Sequence, residues 1–121
     1  MQNYKDLKVW EKAHLFTLNI YESSKRFSKE KIYSLTNQLR RSVSSIPANI
    51  AEGCGKNSNL EFAHYLNIAL GSSNESEYFL ILSKDLLYLN EENYNVLFGL
   101  INEIKAMPIS LINKVRSKPK T

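Results

Sequence analysis

The 121-residue sequence has little of what builds disulfide-rich, turn-rich or membrane-spanning proteins. Its single cysteine, Cys54, cannot form an internal disulfide. Four glycines and three prolines are too few for a sandwich or barrel with many tight turns. No apolar run approaches the roughly 20 residues of a membrane span, and residues 1–8 are too polar for a signal peptide. The sequence therefore predicts a cytoplasmic protein with no membrane partner.

What the sequence does contain suits one helical domain. Hydrophobic residues make up 43% of the chain and charged residues 23%, which is enough apolar material for a core. The whole chain, 1–121, is predicted to be a single domain with a short basic tail at 117–121. The formal net charge of +4 permits a nucleic-acid or acidic partner without requiring one.

Helical periodicity of apolar residues predicts four helices, at about 7–26, 32–52, 58–89 and 91–115. Short links between them favour an all-α, antiparallel up-down-up-down four-helix bundle. The expected N-caps are Asp6, Ser58 (in a capping box with Glu61) and Asn90, and Gly53 is expected to stop the second helix.

The second helix has an unusual interior. An apolar stripe should face the core and contains Ile32, Leu35, Leu39, Val43, Ile46 and Ile50. The stripe keeps its phase through Pro47, so a kinked but continuous helix is expected. The opposite side carries only small residues, namely Ser44, Ala48 and Ala51, which would let another backbone approach closely.

The first and third helices have more apolar faces than one small bundle can bury. In the first helix, Leu7, Trp10, His14, Leu18 and Tyr21 are expected to face the core, with Val9, Phe16 and Ile20 opposite them. In the third helix, a second apolar face includes Ile68, Phe79 and Leu82, besides the core face. These surplus faces predict self-association. The expected oligomer interface contains Ser44, Ala48, Ala51, Ile68, Phe79 and Leu82.

Three segments resemble a known family, the four-helix-bundle 23S rRNA intervening-sequence proteins. They are residues 7–13 (LKVWEKA), residues 38–53 (QLRRS running into SIPANIAEG) and residues 69–75 (ALGSSNE). The resemblance implies a ring-shaped homopentamer. It also implies a scaffold or nucleic-acid-binding role, because related accessory proteins of diversity-generating retroelements bind nucleic acid and a reverse transcriptase through a basic surface.

The candidate nucleic-acid contacts are basic residues. Adjacent side chains on a helix point in different directions, so Arg40 and Arg41 cannot both face the core. At least one guanidinium group can then contact phosphate. A second group should gather at the bundle end that holds both termini, where an oligomer would repeat it. The candidates are Arg40, Arg41, Lys5, Lys8, Lys12, Lys56, Lys114, Arg116, Lys118 and Lys120. No platform of exposed aromatic residues for base stacking is evident.

Enzyme chemistry has weaker support. Two E-x-x-H spacings, Glu11 to His14 and Glu61 to His64, suggest a di-iron bundle, but the facing part of the fourth helix offers no acid. His14 is expected in the core, and Cys54 in a loop without a base to activate it. The sequence therefore predicts no catalytic residue, metal or cofactor.

The preferred hypothesis is a non-enzymatic, oligomeric bundle that binds RNA or DNA weakly. A scaffold that binds only another protein is the alternative, and a di-iron enzyme is a remote one.

Overall fold

The computed structural model describes residues 2–28 and 32–116; the predicted tail at 117–121 lies outside them. These residues form four α-helices and, within the described part, no strand. A 3-10 turn, Tyr4–Asp6, precedes α1, and a π-helical turn, Ile32–Thr36, leads into α2. The helices are α1 (Lys8–Ser24), α2 (Asn37–Cys54), α3 (Asn59–Asp85) and α4 (Glu91–Arg116).

Each helix packs against its neighbours in the chain, and α1 also packs against α4. This arrangement closes a four-helix bundle with the core between the helices. Polar contacts link the neighbouring helices. For example, Arg40 Nε of α2 donates to Ser24 Oγ of α1, and Lys105 Nζ of α4 donates to the Glu77 carboxylate of α3. The all-α prediction is confirmed.

The core face of α1 is the opposite of the expected one. Val9, Phe16 and Ile20 are buried, whereas Leu18 is 52% exposed and His14 is also exposed. Small residues explain the difference, because Ala13 and the other small side chains of α1 fill the core face without adding to an apolar stripe. The predicted core-facing stripe was therefore wrong at His14, Leu18 and Tyr21, which are exposed, whereas Leu7 and Trp10 are half-buried and pack against the core.

The apolar stripe predicted for the second helix is confirmed at Leu35, Leu39, Val43, Ile46 and Ile50, which are all buried; the side chain of Ile32 is not among those described. Pro47 is also buried, within one continuous helix, as expected. The helix does not stop at Gly53, however.

Helix α2 continues past Gly53 to Cys54 and is capped by Gly55, whose N–H donates to the carbonyl oxygen of Glu52 (3.1 Å). Gly53 lies instead at the contact with α3, where the side chains of Phe62 and Tyr65 come close.

A seam of small polar residues joins α2 to α3. Ser76 Oγ donates to Ser42 Oγ (3.2 Å), and the Ser45 and Ser72 hydroxyls are 2.6 Å apart. The Asn49 amide donates to Ser45 Oγ (3.0 Å). Short hydroxyl side chains let the two helices approach closely while their buried oxygens keep hydrogen-bond partners.

Two of the three expected N-caps are confirmed. Glu61 N–H donates to Ser58 Oγ (3.1 Å), and Asn93 N–H donates to Asn90 Oδ1 (2.7 Å). Asp6 does not cap α1, because it belongs to the 3-10 turn and Leu7 occupies the cap position. Side-chain caps thus mark the starts of α3 and α4, whereas no side-chain hydrogen bond caps α1.

The fourth helix is continuous through Pro108, so this proline, which was expected to kink or split the helix, does not split it. Among the described residues, α4 is the one helix long and apolar enough to cross a membrane, with a mean hydropathy of 1.3 over its most apolar window of 18 residues. Its apolar residues form no uninterrupted run in the sequence, because Glu103 and Lys105 lie among them. Core helices of bundles meet the same criterion, and α4 packs against α1 and α3.

Candidate nucleic-acid interface

Basic residues from four parts of the fold meet at one end of the bundle. Lys5 lies in the 3-10 turn, Lys8 begins α1, Lys56 follows α2, and the last turns of α4 carry Lys114 and Arg116. We call these five residues, with Lys12 one turn into α1, the basic end. Two further candidates, Lys118 and Lys120, lie outside the described residues.

Two surface depressions bring members of the basic end together in pairs. Lys8 and Lys114 line a groove of about 300 Å³ between α1 and α4. Lys56 and Arg116 line an open cavity of about 510 Å³ beside the first turns of α3, together with Tyr65 and other residues.

Two of the lysines already have acidic neighbours. Lys12 forms an ion pair with Glu103 of α4, and Lys56 Nζ lies 3.7 Å from the Glu52 carboxylate. Within the described chain, Lys5, Lys8 and Arg116 have no acidic partner. Their charges are therefore the most available for phosphate, since a cation that already has a counter-charge gains less from a second one.

The arginine pair on α2 lies apart from the basic end. Arg40 Nε donates to Ser24 Oγ (2.8 Å), and its guanidinium carbon lies 4.8 Å from the centre of the Tyr21 ring. Both partners belong to the last turns of α1, toward the other end of the bundle. Arg40 therefore ties α1 to α2, while Arg41 is exposed. The structure does not bring this pair and the basic end into one patch.

The predicted interface residues are at least partly accessible. Ala48 is exposed, and Ser44 and Ala51 are half-buried on the same side of α2. Ile68 is 38% exposed, whereas Phe79 and Leu82 are half-buried. A band of small residues on α2 and a band of larger apolar residues on α3 thus remain at least partly exposed, although Phe79 also packs against the core.

A third apolar surface is the outer face of α1, where the sequence predicted a surplus apolar face but placed it on the wrong side of the helix. Leu15 and Leu18 are half exposed there, and the Trp10 and His14 rings stack with centres 5.1 Å apart. The signal was present in the sequence, because α1 carries large apolar residues on two sides. What periodicity alone could not decide was which side faces inward.

Comparison with known proteins identifies the family. The family model described as 23S rRNA-intervening sequence protein matches residues 5–110, which is most of the chain. This chain belongs to that family. The resemblance carried by the three sequence segments is therefore confirmed.

A solved structure agrees with this family assignment. It is a crystal structure, at 1.70 Å resolution, of a protein of unknown function from the S23 ribosomal protein family of Bacteroides thetaiotaomicron VPI-5482. That protein is 34% identical to this chain, with a TM-score of 0.81, and the match covers 86% of this chain and 97% of the other. No curated protein matches the chain.

The remaining candidates for chemistry in this family member do not form a site. Among residues 2–28 and 32–116, no three His, Cys, Asp or Glu side chains lie close enough together to share a metal ion. The di-iron alternative thus has no ligand set there. His14 stacks on Trp10 at the surface, and His64 is exposed on α3.

Cys54 is buried at the end of α2 rather than placed in a loop as expected. Burial raises the pKa of its thiol above the ordinary value, because the charged thiolate is disfavoured away from water. A nucleophilic cysteine needs the opposite shift. Neither the family nor the described residues therefore indicate an enzyme.

Proposed function

We propose that this family member is a cytoplasmic, non-enzymatic, self-associating bundle that binds RNA or DNA through its basic end. The observation that carries the proposal is the convergence of Lys5, Lys8 and Arg116, from separate elements, with no acidic partner in the described part of the chain. Binding of this kind is electrostatic and carries little sequence preference.

The proposed bundle is antiparallel, with up-down-up-down topology. Three contacts between α2 and α3 support this: Ser42 bonds Ser76, Ser45 bonds Ser72, and Gly53 lies beside Phe62. The residue number rises along one helix as it falls along the other. The same holds between α1 and α2, where Thr17 approaches Val43 and Ser24 approaches Arg40.

The proposed assembly is a homo-oligomer, and the family resemblance favours a pentamer. Its contacts would combine Ser44, Ala48 and Ala51 of α2 with Ile68, Phe79 and Leu82 of α3. Small residues facing larger apolar ones allow close approach without voids. An oligomer would repeat the basic end in every subunit, so weak phosphate contacts would add up to useful affinity.

A protein-binding scaffold is the second candidate function. The apolar outer face of α1, with Leu15 and Leu18, favours it, because this surface is not used by the proposed subunit contacts. In that case the basic residues serve solubility.

One experiment separates these functions: light scattering of the purified native protein, combined with its nucleic-acid content. The proposal predicts a mass several times that of one chain and nuclease-sensitive nucleic acid at low salt. A single-chain mass would contradict the assembly. A stoichiometric protein partner without nucleic acid would support the scaffold.

A further inference from the structure

The turn between α3 and α4 presents a leucine in an unfavourable conformation. Leu87 has a φ of 65°, the one positive value found for a non-glycine residue in the described ranges, and its side chain is 88% exposed. The left-handed conformation costs a non-glycine residue on the order of 1 kcal/mol. Leu86 beside it is 47% exposed. We call these two residues the leucine tip.

The hydrogen bonds of the turn do not require leucine. The Leu87 N–H donates to the Lys84 carbonyl oxygen (2.9 Å), and the Tyr88 N–H donates to that of Ser83 (2.8 Å). This is the usual ending of a helix, in which glycine normally occupies the left-handed position. Glycine at 87 would make the same bonds with less strain and less exposed apolar surface. The contacts of its own subunit therefore do not explain a leucine at this position.

Three exposed acidic residues flank the leucine tip along the chain: Asp85 precedes it, and Glu91 and Glu92 begin α4 just after it. Lys84, the nearest lysine in the sequence, lies over the Tyr94 ring with its Nζ 4.7 Å from the ring centre. The end of α1 also lies at this end of the bundle, where Phe27 packs against Tyr88; of its two basic residues, Lys25 pairs with Glu22 and Arg26 is exposed. A partner for the leucine tip should thus offer an apolar depression with basic residues at its edge.

The other end of the same protein has such a depression. The groove of about 300 Å³ between α1 and α4 is lined by Leu7, Val9, Met107, Ser110 and Leu111, with Lys8 and Lys114 beside them. Its volume is about twice that of the ~150 Å³ cavity that holds a benzene ring. Leucine side chains can therefore enter it.

We propose that the leucine tip of one copy docks into the α1–α4 groove of a second copy. Lys8 and Lys114 would then face Asp85, Glu91 and Glu92. Tip and groove lie at opposite ends of the bundle, so the contact is head-to-tail and can repeat along a stack.

One such contact is far smaller than the ~1,200 Å² of a stable interface, so it is weak for a single chain and stronger when an oligomer repeats it. It does not depend on nucleic-acid binding. Lys8 and Lys114 also belong to the basic end, so docking of the leucine tip and binding of nucleic acid compete for these two lysines.

The test is sedimentation velocity of the full chain over a range of protein concentrations at low salt. We call the monomer or oligomer that persists at high salt the basal unit. At low salt the wild type should form salt-sensitive species larger than this basal unit, whatever its size. Leu87→Gly should keep the basal unit and weaken the further association at least tenfold. The control is Leu60→Ser, which removes an exposed leucine at the groove's end of the bundle but outside the groove; it should change nothing.

A charge exchange tests the docking partner. Lys8→Glu alone and Glu91→Lys with Glu92→Lys alone should each abolish stacking, while a mixture of the two proteins should restore it. Wild-type protein without larger species, unchanged association of Leu87→Gly, or equal loss in Leu60→Ser would overturn the proposal. Absence of rescue in the mixture would also overturn it. None of these results depends on whether the basal unit is a pentamer or binds RNA.

Discussion

A Cβ atom built on Gly53 would lie 2.8 Å from the Cβ atom of Tyr65. Such atoms are essentially never that close, so α2 and α3 approach each other here more closely than any residue with a side chain allows. The Phe62 ring, whose Cδ1 would be 3.1 Å from the same Cβ, leaves no room on the other side. Gly53 therefore sets the spacing of the two helices near the basic end.

Gly53→Ala should destabilise the protein by about 1–3 kcal/mol, because the added methyl group must displace α3. Gly99→Ala is the matched control, since a Cβ atom on Gly99 would meet nothing within 4 Å. It should stabilise α4 by about 0.5–1 kcal/mol. Urea unfolding at one fixed protein concentration measures both changes. Equal stability of the two variants would show that the close approach at Gly53 is not rigid.

Ala48→Arg should break the oligomer without unfolding the subunit. Ala48 is exposed in the single chain, so the arginine can be solvated there, but it would clash in a close subunit contact. Asn102→Arg, at an exposed position of α4 outside the proposed contact, is the control. Light scattering should give a smaller mass for Ala48→Arg alone, with a far-UV circular dichroism spectrum like that of the wild type. An unchanged mass would remove the α2 surface from the interface.

The thiol of Cys54 should titrate at a higher pH in the folded protein than in the unfolded chain, because burial raises its pKa. The folded state then keeps its proton in a pH range where the unfolded chain loses one. Stability should therefore fall as the pH rises past the thiol's ordinary pKa, and Cys54→Ser should remove this part of the loss. Thiolate absorbance near 240 nm, followed with and without urea, measures the shift. Coinciding titration curves would contradict it.

Periodicity predicted the helices and the inner face of α2 well, because large apolar residues lie on one side only of that helix. It failed on α1, where Val9 and Phe16 compete with Leu7 and Leu18 on the opposite side. The small residues that decide the matter, such as Ala13, carry almost no apolar signal. The packing of α2 and α4 against α1 decides which side of α1 faces inward.

The candidate site could be predicted only in part. The gathering of Lys5, Lys8 and Arg116 follows from helix order and short links alone. The structural role of Arg40 does not, because it depends on the position of Tyr21 in the neighbouring helix. Nor does the role of Gly53 follow from the sequence, because glycine serves both at helix ends and at close helix contacts.

The most direct test of the central claim is the salt dependence of binding to a structured RNA, between about 50 and 200 mM salt. The account predicts steep weakening with salt for the wild type. Lys8→Glu with Arg116→Glu should weaken binding at least tenfold and lower the slope of log K against log salt by about 2. Lys25→Glu with Arg26→Glu, an equal charge change at the other end of the bundle, should keep most of the affinity. Absence of salt-sensitive binding at low ionic strength, or equal losses in both double variants, would contradict nucleic-acid binding through the basic end.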